Sequence, residues 1–218
     1  MTVHRRSGLD GAQAATGSAV IIDVFRAFTT AAFCVAAGAR EVVLVGDHAQ
    51  ALALKSADPS LFLTGEIGGR PIPGFDVGNS PSRIDGLDLS GRRVVQRTSA
   101  GTQGVVAASG AGEIVLGSLV IAAATVRYLR DRGEISLVAM GTHGGDDHDE
   151  DEICAAYLEQ LLLGAAPPPP TISLAASEQW PDWFPRRDAE LAMQVDRFDF
   201  ALPVTRENGL LVARPVFP

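Results

Sequence analysis

The chain has 218 residues, 46% of them hydrophobic and 20% charged, and a formal net charge of −8. That length supports one substantial hydrophobic core, and the acidic balance, with a pI near 4.9, excludes the basic stripe that a nucleic-acid backbone requires. No apolar run approaches the roughly 18 residues of a membrane span, and Cys34 and Cys154 sit in apolar periodic runs that suit reduced core residues of a cytoplasmic protein.

In chain order, residues 1–17 (MTVHRRSGLDGAQAATG) contain arginines but no apolar signal core, and read as a polar, mobile lead-in to a single domain over 18–218. Val20-Ile21-Ile22 is a β-branched run suited to a strand buried on both faces, and the small-residue run after Thr29-Thr30 suits a helix ending near Gly38. EVVLVG (41–46) reads as a strand, Asp47 as a helix N-cap, HAQALALKSA as the helix, and LFLT (61–64) as the next strand. Residues 65–83, with five Gly and three Pro, cannot form one regular element. Alternation resumes with the strand RRVVQRT (92–98), a Gly-rich helix start at SAGTQGVVAAS, the strand EIVLGS (113–118), the helix IAAATVRYLRDR and the strand EISLVAM (134–140). An acidic loop leads into the helix ICAAYLEQLLL, which Gly164 and Pro167 to Pro170 terminate; RRDAELAMQV predicts a further helix. The apolar runs around Asn208-Gly209 predict a hairpin at an antiparallel edge. Short strands alternating with crossover-length helices imply an α/β fold, a mainly parallel mixed sheet covered on both faces in three layers.

Open α/β sheets place their sites beyond the carboxyl ends of strands. Asp23, Glu66, Glu150 and Asp151 all follow predicted strands, so one parallel sheet would gather them at one edge, where they could hold a hard cation such as Mg²⁺. Taken alone, each reads more readily as a helix cap or a surface charge. Arg97, at a strand end, and Arg26, in the first loop, could clamp an oxyanion, and the glycine-rich stretch and Gly101-Thr102 could bring backbone amides to it. Three other patterns are weaker. Cys34 and Arg40 have the Cys-x5-Arg spacing of cysteine phosphatases, but Cys34 lies deep in an apolar helical run. Asp23 lacks the second acid of aspartyl-phosphate enzymes, Phe25 standing in its place. His143 and His148, in so acidic a loop, suit solvation better than metal binding.

DVFRAFTT (23–30), GEIGGRPIPGFDVGNSP (65–81), RTSAGTQ (97–103), EDEICA (150–155) and DRFDFALPV (196–204) resemble, in order, the signature blocks of the 2-phosphosulfolactate phosphatase family. The resemblance implies a three-layer α/β fold and a Mg²⁺-dependent phosphatase that converts 2-phospho-3-sulfolactate to sulfolactate and phosphate, a step toward coenzyme M. It picks out Asp23, Arg26, Glu66, Glu150 and Asp151, to which the strand-end reading adds Arg97 as a catalytic candidate and for which that reading makes Asp23, Glu66, Glu150 and Asp151 the metal ligands. It places Thr29, Thr30, Asp76, Asn79, Ser80, Thr98, Gly101 and Thr102 around a small anionic phosphorylated substrate. Ala100 and Phe28 depart from the polar residues usual at those positions, which leaves open a related phospho-acid as substrate. Two other expectations remain beside it: a different metal-dependent phosphate-ester hydrolase, and a non-catalytic binding protein for an anionic metabolite. Assembly into a homo-oligomer is compatible with all three.

Overall fold

A computed structural model describes residues 1–141, 150–173 and 183–218. The elements follow in chain order as β1 (Thr2–Ser7), α1 (Gly8–Gln13), β2 (Ser18–Ile22), α2 (Ala27–Ala36), β3 (Glu41–Leu44), α3 (His48–Ala57) and β4 (Phe62–Ile67). The glycine- and proline-rich stretch resolves into the two-residue strands β5 (Arg70–Pro71) and β6 (Val77–Gly78) and the short helix α4 (Pro81–Ile84). Then come β7 (Arg93–Arg97), α5 (Gly101–Ala107), β8 (Glu113–Gly117), a 3-10 turn at Leu119–Ile121, α6 (Ala122–Leu129), β9 (Glu134–Ala139), α7 (Glu150–Leu162), α8 (Arg186–Ala192), β10 (Leu202–Glu207) and β11 (Leu210–Ala213). The strand and helix runs read from the sequence therefore appear with small shifts at their ends. Asp47 caps α3 as expected, its carboxylate accepting from the Ala49 amide at 3.1 Å.

The strands form one mixed sheet in the order β1-β9-β2-β8-β10-β11-β3-β7-β4-β5, with β6 also paired to β4. β2 runs parallel between β8 and β9, and every one of its residues is buried. Its alternation divides the core: Ala19 and Ile21 face the cluster beneath α2 and α5, while Val20 and Ile22 face the cluster beneath α6 and α7. On that second face a separate cluster, containing Ala51 of α3, covers Val43, Leu63, Val95 and Val212. Helices on both faces of one sheet make the three-layer α/β/α arrangement. Among the described residues no helix is long and apolar enough to cross a membrane.

Two expectations change. The hairpin does not form an edge: β10 pairs antiparallel with β8 and β11 antiparallel with β3, so the C-terminal strands join the two parallel halves at the centre of the sheet. Its composition permits this, because Leu211 and Ala213 fill one core face and Val212 the other. Pro203, which lacks an N–H, sits where the β10–β11 ladder ends, its carbonyl accepting the Arg214 amide at 3.3 Å. Asn208 and Gly209, with φ of 50° and 79°, supply the left-handed pair of a tight hairpin turn. The second change concerns residues 1–17, which enter the fold instead of preceding it. β1 runs parallel to β9 from Thr2↔Glu134 to Ser7↔Ala139, and Ala12 and Ala15 are buried. The segment stays polar because it is an edge strand, where charged side chains discourage further pairing.

The central position of the hairpin is testable. Val212→Ala should lower stability by about 2 kcal/mol, as for a methyl-depleted core position, whereas an edge strand would show a loss below about 1 kcal/mol; urea denaturation of the two proteins decides between them.

Candidate active site

Asp23 follows β2 directly and is buried. One carboxylate oxygen accepts the Ala27 amide at 2.8 Å at the start of α2; the other accepts the Gly101 amide, also at 2.8 Å, at the start of α5. Helix N-termini favour a negative charge, yet burial dominates here and raises the Asp23 carboxyl to about 6; the two amides lower it, and nearby Glu66 raises it further. Gly101 is needed for this contact. A Cβ there would lie 2.8 Å from both the Asp23 carboxylate and the Ala27 methyl group.

Glu66, near the end of β4, grips the other end of the same turn. Its carboxylate accepts the Ser99 amide at 2.5 Å, the Ser99 hydroxyl at 3.0 Å and the Gly69 amide at 2.6 Å. Ser99-Ala100-Gly101 is thus held at both ends by a buried acid. Three antiparallel pairings separate β2 from β7 and β4 in the ladder, so the two acids do not share the edge of one parallel sheet; the turn brings them together.

Arg26 completes the group. Its guanidinium meets the fully buried carboxylate of Asp188, in α8, at 3.1 Å and donates to the Gly69 carbonyl at 3.4 Å. It lies 4.5 Å from the centre of the Phe184 ring and 5.4 Å from that of Trp183. Gly69, at φ 83°, passes so close to Trp183 that a Cβ would lie 2.5 Å from the indole. A cavity of about 390 Å³ opens among Asp23, Arg26, Glu66, Asn79 and Ser99, with Phe25, Ala100 and Trp183 as its apolar wall.

Of the residues singled out from the sequence, the structure brings Asp23, Arg26, Glu66 and Asn79 to this cavity. The others hold the frame around it. Arg97 donates to the Gly46 and Glu66 carbonyls, at 3.2 and 2.9 Å, rather than into the cavity. Asp76 is taken by Lys55 at 2.7 Å and the Leu63 amide at 2.7 Å, buttressing the Gly/Pro loop. Ser80 donates to Asp188 at 2.8 Å, Thr29 to the Val24 carbonyl at 2.8 Å, and the Thr30 hydroxyl is buried without a protein partner. Thr98 and Thr102 tie each other across the first turn of α5: each hydroxyl accepts the other's amide, at 3.0 and 2.8 Å. The amides of Gly68 and Gly69 likewise point at Ser99 and Glu66.

The four-carboxylate metal set does not assemble. Asp151 accepts the Val24 amide at 2.6 Å from the first turn of α7, and neither it nor Glu150 lines the cavity. Among the described residues no group of three or more His, Cys, Asp or Glu is arranged to hold a metal. Asp23 and Glu66 remain, and this pair fits a hard cation that takes one or two carboxylates and fills its other positions with water and substrate oxygens. Each carboxylate has about four lone-pair positions and therefore keeps acceptor capacity beyond its amide contacts, and the two repel each other in a buried place. His143 and His148 lie outside the described residues. Cys34 is buried in α2, and burial pushes its thiol up to about 12, which removes it as a nucleophile.

Sequence reasoning missed Ser99, although it lies in the RTSAG block, and missed Asp188, Trp183 and Phe184 altogether. Nothing local marks Asp188: within RRDAELA it reads as a first-turn acid of a surface helix, and only the fold turns it toward Arg26.

These features define an α/β protein with a buried two-acid, one-arginine cavity. A family model described as 2-phosphosulpholactate phosphatase matches residues 4–179, and the chain belongs to that family. It is 43% identical over 129 residues to a Deinococcus radiodurans protein named "Probable 2-phosphosulfolactate phosphatase", covering 58% of this chain and 54% of the relative. Proteins of the same name from Bacillus subtilis and Thermus thermophilus are 33% and 34% identical over 146 and 169 residues. Those matches cover 65% and 75% of this chain, and 62% and 70% of the relatives. The match thus spans little more than half the length of the Deinococcus protein.

The raised Asp23 carboxyl predicts a stability signature. Because its folded value, about 6, exceeds the ordinary 3.8, the protein should be most favoured with Asp23 protonated and should lose stability as pH rises from about 4 to 6, by up to about 3 kcal/mol. Asp23→Asn cannot titrate, so its stability relative to the parent should improve across that interval and stay level above about pH 7. Urea titrations at pH 4, 5, 6 and 7.5 measure the difference; a constant offset would contradict the assignment.

Proposed function

We propose that the chain is a metal-assisted phosphoric monoester hydrolase acting on 2-phospho-3-sulfolactate to release phosphate and sulfolactate. Family membership and the relatives' names support the reaction. The observation that carries it to this site is the cavity in which Asp23, Glu66 and Arg26 meet.

Charge balance favours a cation. Two carboxylates and one guanidinium, itself paired with Asp188, leave the cavity side chains net negative, which suits a multiply anionic ester poorly. Asp23 and Glu66 would hold Mg²⁺, which when bound supplies Lewis-acid polarisation of a phosphoryl oxygen and lowers the pKa of a bound water. The protein's own groups do the rest. Arg26 offers N–H donors in a fixed plane to the phosphoryl oxygens or to a second acidic group of the substrate. Asn79 contributes an amide at the cavity wall, and Phe25, Ala100 and Trp183 exclude water around the carbon skeleton. The Ser99–Gly101 turn keeps the two acids in register without their side chains having to reorganise during the reaction.

Two measurements test this. Phosphate release from 2-phosphosulfolactate and simple phospho-acids should require Mg²⁺ and vanish after verified metal removal; full activity in excess chelator would sink the metal reading. Arg26→Lys retains charge but not the planar fork, and should lower kcat/KM by about 30- to 1,000-fold if the guanidinium contacts the transferring group. A loss confined to KM would instead assign Arg26 to the substrate's other acidic group.

A further inference from the structure

Asp188 is the most enclosed carboxylate near the cavity, yet it does not line it. One of its oxygens meets Arg26 at 3.1 Å. The other accepts the Ser80 hydroxyl at 2.8 Å, the Ser82 amide at 2.9 Å and the Ser82 hydroxyl at 2.5 Å. The carboxylate is therefore oriented from α4 before it meets the guanidinium. On the same stretch of chain, Phe184 and Trp183 stack with each other at 6.0 Å and both approach the Arg26 guanidinium. A buried arginine with one edge on a fixed carboxylate and aromatic rings around it has little rotational freedom. Trp183, Phe184 and Asp188 all lie beyond residue 179, where the family match ends.

We infer that Asp188 is a positioning residue: through its fixed carboxylate it sets the plane and depth of the Arg26 guanidinium, so that the remaining N–H donors meet an incoming phosphoryl oxyanion. The inference rests on the proposed role of Arg26 as the anion-binding group. An isolated buried guanidinium would be costly to keep desolvated, and its partner determines where it can sit. With only three hydroxyl and amide donors on Asp188 the pairing would serve α4 alone; the contact with Arg26 gives it a consequence at the cavity.

A double-mutant cycle tests this. Asp188→Asn keeps the shape, and its amide oxygen can still accept from Ser80 and Ser82, but its NH2 group faces the Arg26 donors. In the parent background it should lower both Mg²⁺-supported kcat/KM and the affinity for inorganic phosphate, measured by calorimetry with Mg²⁺ present, by about 10- to 100-fold. In an Arg26→Ala background the same change should alter either quantity by no more than about twofold, because the group it acts through is gone. Ser82→Ala removes one of the donors that hold the Asp188 carboxylate but leaves Ser80 and the Ser82 amide, so it should lower the same two quantities less than Asp188→Asn does, and should change neither by more than about twofold in the Arg26→Ala background. Equal losses from Asp188→Asn in both backgrounds, or no loss in the parent, would overturn the positioning role. If the chain turns over no phosphate ester but the phosphate-binding cycle shows the coupling, the hydrolase reading falls and the positioning role stands. If Arg26→Ala leaves phosphate binding unchanged, or the parent binds no phosphate, the positioning role falls.

Discussion

The site depends on a three-residue turn gripped by two buried acids. Glu66 holds the Ser99 amide and Asp23 the Gly101 amide, so one short segment links the end of β4 to the end of β2. Asp23 is not comfortable there. Burial works against the charge on Asp23, and the neighbouring acid adds to the penalty, while amides at two helix starts recover only part of it. Stability is given up locally so that ionisable groups face a shared cavity, a common trade at functional sites. Losing Gly101 to any larger residue would push Asp23 away from α5 and break the link from one side.

The sheet makes that link possible. β2 belongs to the half containing β1, β9 and β8; β4 and β7 belong to the half containing β3. The C-terminal hairpin joins the halves, with Leu202, Leu211 and Ala213 continuing the core face that lies beneath α2 and α5. α5 leaves β7 and crosses to pack on β2, where Gly104 sits so near Ile21 and Met140 that a Cβ would lie 2.9 and 2.5 Å from them. The last strands of the chain thus complete the surface on which the site's two halves meet.

Much of this was legible in the sequence. Buried β-branched runs, the Asp47 cap and the Asn208-Gly209 turn are local signals, and they located strands, helices and the hairpin because local chemistry decides them. Sheet order is not local. The same hairpin pattern fits an edge or a centre, and the apolar residues on both faces of β11 distinguish the two only once neighbouring strands are known. In the site, Asp23, Arg26 and Glu66 could be named because they lie at or just after strand ends, and Asn79 because it falls in a block that resembles the phosphatase family. Arg97, Thr29, Thr98 and Thr102 share those segments but turn toward backbone groups, and Asp76 turns toward Lys55 and the Leu63 amide, a choice made by side-chain direction that spacing alone does not encode. Asp188 is further still from recognition, since its partner is 162 residues away in the chain.

Arg26 shows why such a distant partner matters. A surface arginine samples many rotamers and binds an anion at the cost of freezing them. Here Asp188 removes one edge of the guanidinium from play, the Gly69 carbonyl takes a second donor, and two aromatic rings crowd the side chain, so little freedom is left to lose when an anion arrives. The same pairing offsets part of the positive charge that Arg26 brings to Asp23 and Glu66. An arginine arranged in this way contributes direction more than charge, and on the proposed reading the charge that attracts a phosphorylated acid must come from a cation held by the two carboxylates.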